Sequence, residues 1–216
     1  MKRFQDSAGY LVSPPSGKGP GVLVLHPWWG LNDTIKGVCD RLGKLGFVSY
    51  APDLYHGELA TTIAEAEKLA HNLDDERAMA DTHTAVNRLF ESGADPTKGI
   101  SVIGFSLGAY YALQLSGTDP ESVRAVVLFY GTGDGDFTRA QASYLAHFAE
   151  NDPYEPAEAR QWLEGALKDA NRPATFYLYD GVGHWFFEPD RTDAYDEAAA
   201  ELAWERTIVF LNTDHT

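Results

Sequence analysis

A serine between two glycines, a histidine in a glycine-rich stretch and an aspartate before a proline are the residues of this sequence best suited to nucleophilic chemistry. Gly104-Phe105-Ser106-Leu107-Gly108 fits the pattern G-x-S-x-G, in which the serine sits on a sharp strand-to-helix turn that presents its hydroxyl. The flanking glycines remove side chains that would collide at such a turn. A hydroxyl is a weak nucleophile at neutral pH and needs a neighbouring imidazole to take its proton. His184, in Gly181-Val182-Gly183-His184, follows a strand-like segment well past Ser106 and is the candidate base. An imidazole in that role needs a carboxylate to fix its tautomer and stabilise the imidazolium. Asp152, in Glu150-Asn151-Asp152-Pro153, falls between the other two and completes the chain order Ser, Asp, His. Glu150 is the reserve acid, and Asp180 is less suited because it lies too near the end of its own strand. Of the other histidines, His26 precedes the nucleophile, His56 is a candidate for the mouth of the site, and His71, His83, His147 and His215 read as surface or core residues.

Attack on a carbonyl also needs donors for the oxyanion. The start of the helix after Ser106 offers the Leu107 N–H, because the first N–H groups of a helix have no partner within it. The second donor is expected from His26-Pro27-Trp28-Trp29-Gly30, and Trp28 is chosen because Pro27 has no N–H to give. Trp29, Tyr55, Phe105, Tyr154, Trp185 and Phe186 lie in segments expected to converge on Ser106 and are candidate substrate-binding residues, since ligand sites are mostly apolar and aromatic.

These residues need a scaffold, and the sequence alternates strand and helix signals. Gly21 to Leu25 is a continuous apolar run of the kind buried on both faces of a parallel sheet. Asp33 is the expected cap of a helix that carries Ile35, Val38, Leu42 and Leu45 and stops at Gly46. Strands are predicted at 47–51, 99–104, 125–130, 143–148 and 175–179, with helices near 61–73, 75–90, 109–115, 156–169 and 194–211. Such alternation predicts an α/β fold, a mostly parallel sheet with helices on both faces and its site at the carboxyl ends of the strands. The length of 216 residues predicts one domain over 1–216.

A formal net charge of −15 argues against nucleic acid and anionic membranes as partners. The single cysteine, Cys39, fits a reducing, cytoplasmic setting and reads as a small buried hydrophobe in mid-helix. Lys2, Arg3, Gln5 and Asp6 interrupt any apolar leader near the start. No metal or organic cofactor is needed for this chemistry, and a monomer or small homo-oligomer is expected.

With these residues in place, the chain from about Gly21 to Leu211 resembles the dienelactone hydrolase family. The likeness is carried by Val22–Leu25 followed by Trp29-Gly30-Leu31-Asn32, by Ala51-Pro52-Asp53-Leu54-Tyr55, by the segment around Ser106, and by Gly183-His184-Trp185-Phe186 with Glu205-Arg206-Thr207 later. The resemblance implies a minimal α/β-hydrolase without a large lid domain, acting on small esters or lactones. Well-studied members use Cys where this chain has Ser106, and a Glu where it has Pro27, so an ordinary Ser-His-Asp mechanism is expected here. Members that bind an anionic lactone carry an Arg where this chain has Glu188, and a negative charge there would repel an anionic substrate. The expected substrate is therefore an uncharged ester or lactone, with Arg77 as a residual candidate for binding a carboxylate. The same triad would also serve an acyltransferase, thioesterase or peptidase, and a non-catalytic binding protein on this scaffold is the alternative of another class.

Overall fold

The computed structural model describes residues 1–213 and 215. Eight strands form one sheet in the order β1-β2-β4-β3-β5-β6-β7-β8: β1 Lys2–Asp6, β2 Gly9–Ser13, β3 Gly21–Leu25, β4 Val48–Pro52, β5 Ile100–Phe105, β6 Val123–Phe129, β7 Ser143–Asn151 and β8 Ala174–Gly183. From β4 across to β8 all neighbours are parallel, whereas β1 and β2 add an antiparallel hairpin at one edge. The helices are α1 Asp33–Lys44, α2 Ile63–Asn72, α3 Asp75–Glu91, α4 Leu107–Thr118, α5 Ala157–Asp169 and α6 Glu197–Leu211.

The central parallel strands β3 to β6 are buried along almost their whole length because both faces are covered, whereas β8 at the edge is largely exposed. One face packs on α1, α2 and α6, with Ile35, Val38, Leu42, Ala66, Ala203 and Trp204 in its core. The other packs on α3, α4 and α5 through Ala85, Leu89, Tyr111, Leu115, Leu163 and Leu167. Cys39 is buried in the first of these cores.

Two expectations need correction. The cap of α1 is Asn32, whose side chain accepts the Ile35 N–H, and Asp33 is the first helical residue. Both are good capping types, and the backbone enters the helix one residue earlier than the apolar spacing suggested. The hairpin of β1 and β2 was not anticipated, because Lys2–Asp6 is a largely exposed edge with no apolar alternation to betray it. Its turn has a local signal in Asp6, whose side chain accepts the N–H groups of Ala8 and Gly9.

His147 is buried at the centre of β7, between the Tyr179 hydroxyl at 2.9 Å and the Thr207 hydroxyl at 3.0 Å. Burial lowers its pKa to about 3, with the Arg206 charge adding in the same direction. The unfolded chain therefore takes up a proton below about pH 6.5 that the folded chain refuses, so stability falls as pH drops from there towards 3. Urea midpoints at neutral and mildly acidic pH test this: a His147→Gln variant, less stable at neutral pH, should lose less of its midpoint on acidification than the parent.

Candidate active site

Ser106 joins β5 to α4 with φ 48° and ψ −111°, a conformation that costs a non-glycine residue about 1–3 kcal/mol and persists only where its surroundings impose it. The surroundings are backbone atoms packed too closely for side chains. A Cβ on Gly104 would stand 2.4 Å from the Gly108 carbonyl oxygen, and one on Gly108 would stand 2.3 Å from that of Leu25. A Cβ on Gly131, just past β6, would lie 2.6 Å from the Ser106 carbonyl oxygen. The Ser106 N–H donates to Phe129 O at 2.9 Å and fixes the turn to the end of β6.

The base and the acid arrive through an irregularity in the sheet. Ala149 pairs with Tyr179, but the next pair is Asn151 with Gly183, so β8 bulges by two residues around Asp180-Gly181-Val182. Gly181 takes φ 75° there, and its N–H donates to Glu150 Oε2 at 2.7 Å. Glu150, the reserve acid, thus holds the bulge instead. Beyond the Asn151–Gly183 pair the next residues are Asp152 and His184, which the resumed register sets side by side.

The three candidate residues form one hydrogen-bonded chain. Ser106 Oγ lies 3.0 Å from His184 Nε2, and His184 Nδ1 lies 2.7 Å from Asp152 Oδ2. The other carboxylate oxygen, Oδ1, accepts the N–H groups of Tyr154 at 2.9 Å and Glu155 at 3.0 Å. An ionised carboxylate only accepts, so the Nδ1 proton faces Asp152 and Nε2 is left to accept from the serine. The His184 and Asp152 side chains are only 3% and 2% exposed, which strengthens their attraction by excluding water. Such an arrangement can activate a hydroxyl for attack on a carbonyl.

Among the described residues, neither the Leu107 N–H nor the Trp28 N–H donates to a protein acceptor. His26 steadies the second of these. It is fully buried, its Nδ1 bonds to Pro27 O at 2.7 Å and its Nε2 accepts the Leu54 N–H at 3.1 Å. Burial lowers the pKa of this imidazole and favours the neutral form that both bonds require.

The aromatic residues divide by burial. Tyr154, 41% exposed, sets its ring 5.0 Å from His184, 5.1 Å from Trp185 and 5.4 Å from Trp28. Trp185 adopts φ 68° directly after His184 and lies edge-on to it at 5.1 Å. Trp29 and Tyr55 are buried behind this group, Trp29 beneath the Arg191 guanidinium and Tyr55 against His26. Phe105 and Phe186 require correction: both are fully enclosed, Phe105 stacked on Phe129 at 4.6 Å and Phe186 set edge-on to Tyr130 and tilted against Tyr179. Phe105 ends β5 and points to the side opposite its neighbour Ser106, while Phe186 lies in the turn after β8 that folds its ring back into the core.

Glu188 is also corrected. It is fully buried, Oε1 accepts the Tyr130 hydroxyl at 2.8 Å, and desolvation raises its pKa to about 8. Burial disfavours its charged form, and the enclosed side chain does not face a substrate as the sequence suggested. Arg77 is an exposed residue in the first turn of α3, and the exposed His56 pairs with Asp81 at 2.9 Å. Sequence reasoning missed Tyr130, whose ring lies 4.9 Å from that of His184, and Glu155, whose carboxylate accepts the Thr132 hydroxyl at 2.7 Å. A groove of about 630 Å³ between α1 and α6, lined in part by Thr34, Arg41, Phe187, Tyr195 and Glu201, includes none of the triad candidates.

A strained serine turn at the carboxyl end of a central strand, in a mostly parallel sheet with no large lid, defines an α/β-hydrolase. The dienelactone hydrolase family model matches residues 7–214, and the chain belongs to that family as a carboxylic ester hydrolase of the dienelactone hydrolase type. It is 31% identical to Protein usf of Aquifex pyrophilus, over 94% of this chain and 91% of that one. It is 30% identical to a protein of Aquifex aeolicus that carries the name carboxymethylenebutenolidase, over 95% and 92% of the two chains. Its fold matches the crystal structure of a dienelactone hydrolase-like promiscuous phosphotriesterase from metagenomic libraries, with a TM-score of 0.84 at 22% identity over 99% of this chain and 97% of that one.

The corrected roles are separable by measurement. Phe105→Leu should lower stability by about 1–2 kcal/mol while leaving KM for a small ester within about twofold. Tyr154→Ala should do the reverse, raising KM with little change in thermal midpoint.

Proposed function

We propose that the protein hydrolyses small, uncharged carboxylic esters or lactones through Ser106, His184 and Asp152, with an acyl-enzyme intermediate. The observation that supports this reading most is the unbroken hydrogen-bonded chain from Ser106 Oγ through both nitrogens of His184 to Asp152. Ser106 attacks the carbonyl carbon as His184 Nε2 takes its proton. Negative charge gathers on the former carbonyl oxygen, where the N–H groups of Leu107 and Trp28 receive it, a pair worth roughly 100-fold or more in rate per donor. Collapse of the tetrahedral intermediate expels the alkoxide, which His184 protonates. Water, deprotonated by the same imidazole, then attacks the acyl-enzyme and releases the acid. Asp152 stays ionised and balances the imidazolium in both halves.

The exposed ring of Tyr154 beside Trp28 and Trp185 favours an apolar or aromatic acyl group. The family to which the chain belongs and the relative named a carboxymethylenebutenolidase support ester or lactone chemistry. Activity in the cytoplasm as one 216-residue domain follows the same reading.

A fluorophosphonate should label wild-type protein on Ser106 and leave Ser106→Ala unlabelled; labelling that survives the substitution removes the assignment. Asp152→Asn should lower kcat for a p-nitrophenyl ester by about 1,000- to 10,000-fold with the fold intact. Across a panel of such esters, a clear preference for anionic acyl groups would contradict the substrate class.

A further inference from the structure

Glu188 is a fully buried carboxyl that the reaction above does not use. It lies four residues past His184, in the stretch between β8 and α6. Its Oε1 accepts the Tyr130 hydroxyl at 2.8 Å, and its Oε2 is buried with no partner among the described residues. Tyr130 is itself strained, with φ 37°, and its N–H donates to His147 O at 2.8 Å. Its ring lies 4.9 Å from the His184 ring, and the next residue, Gly131, packs against the Ser106 backbone. A single hydrogen bond therefore ties the segment carrying the base to the turn beneath the nucleophile.

We propose that Tyr130 and Glu188 form a positioning pair for the catalytic base, in which a protonated Glu188 holds the Tyr130 ring beneath His184 and so sets the imidazole against Ser106. The inference rests on the catalytic reading above. It departs from a plain core role because a neutral carboxyl and a carboxylate would act differently here. Burial raises the Glu188 pKa to about 8, opposed by the Tyr130 hydrogen bond, while Asp190 raises it and Arg191 lowers it. Among the described residues these are the charged and titratable groups that act on it, and Asp190 and Asp152 also act on Tyr130. Arg191 is the smallest of these influences: its Nη2 pairs with Asp190 at 3.0 Å and its guanidinium stacks on Trp29, while its buried Nε makes no hydrogen bond to Glu188. Loss of the Glu188 proton places a buried negative charge beside Tyr130, which displaces the ring and the base above it.

The test measures Ser106 labelling by a fluorophosphonate, and kcat and KM for p-nitrophenyl acetate, from about pH 6 to 9.5. Wild-type rates should fall above about pH 8, and the profile of Glu188→Gln should lose that fall. Tyr130→Phe should lower kcat about 10-fold with KM within about twofold and an unchanged circular dichroism spectrum. A Glu188→Gln profile that still falls, or a Tyr130→Phe enzyme equal to wild type, overturns the pair. If Glu188→Gln does not fold, the kcat of Tyr130→Phe decides alone. Absence of Ser106 labelling in wild type overturns both this inference and the triad, whereas normal labelling that neither variant alters overturns only the pair.

Discussion

The strain at Ser106 is what the rest of the site is built to sustain. A serine at φ 48° and ψ −111° relaxes unless the chain before and after it is fixed. Here β5 is paired on both sides, α4 is buried along most of its length, and three glycines let neighbouring backbones come closer than any side chain permits. Gly108 is the most constrained of them, because it nests against the carbonyl oxygens of Leu25 and His26 at the end of β3. The same contact brings the loop bearing Trp28 beside the first turn of α4. The geometry that strains the serine therefore also gathers the two N–H groups proposed to receive the oxyanion.

The second constraint is register. Had β7 and β8 stayed in regular pairing past Ala149, Asp152 would have met Val182 and His184 would have run on past it. The two-residue bulge held by Glu150 restores the match at Asn151 and Gly183. Asp152 is then oriented by the N–H groups of Tyr154 and Glu155, which leave one carboxylate oxygen for the imidazole. Each element thus fixes one atom of the chain: the turn fixes Oγ, the bulge fixes the ring, and the loop after β7 fixes the carboxylate.

Much of this was legible in the sequence for physical reasons. The glycines around Ser106, the apolar run before it and the order Ser, Asp, His all follow from local backbone demands, and the parallel strands from Gly21 onward announce themselves by continuous apolar content. The β1–β2 hairpin was not legible, because an exposed edge strand carries no core pattern. Phe105 and Phe186 were misread because sequence gives proximity to the serine and histidine but not the side to which a ring turns. Glu188 was misread for a deeper reason. A carboxylate is assumed charged until burial and a lone hydroxyl partner are seen, and that hydroxyl belongs to Tyr130, just past β6 and 58 positions away in sequence.

The claim that the Ser106 turn delivers nucleophile and oxyanion donors together is tested most directly by a crystal structure of the protein after reaction with a fluorophosphonate. The expected structure has a phosphorus bonded to Ser106 Oγ, with its terminal oxygen about 2.7–3.1 Å from the N–H groups of both Leu107 and Trp28. An adduct on another residue, or a terminal oxygen turned away from those two groups, would contradict it.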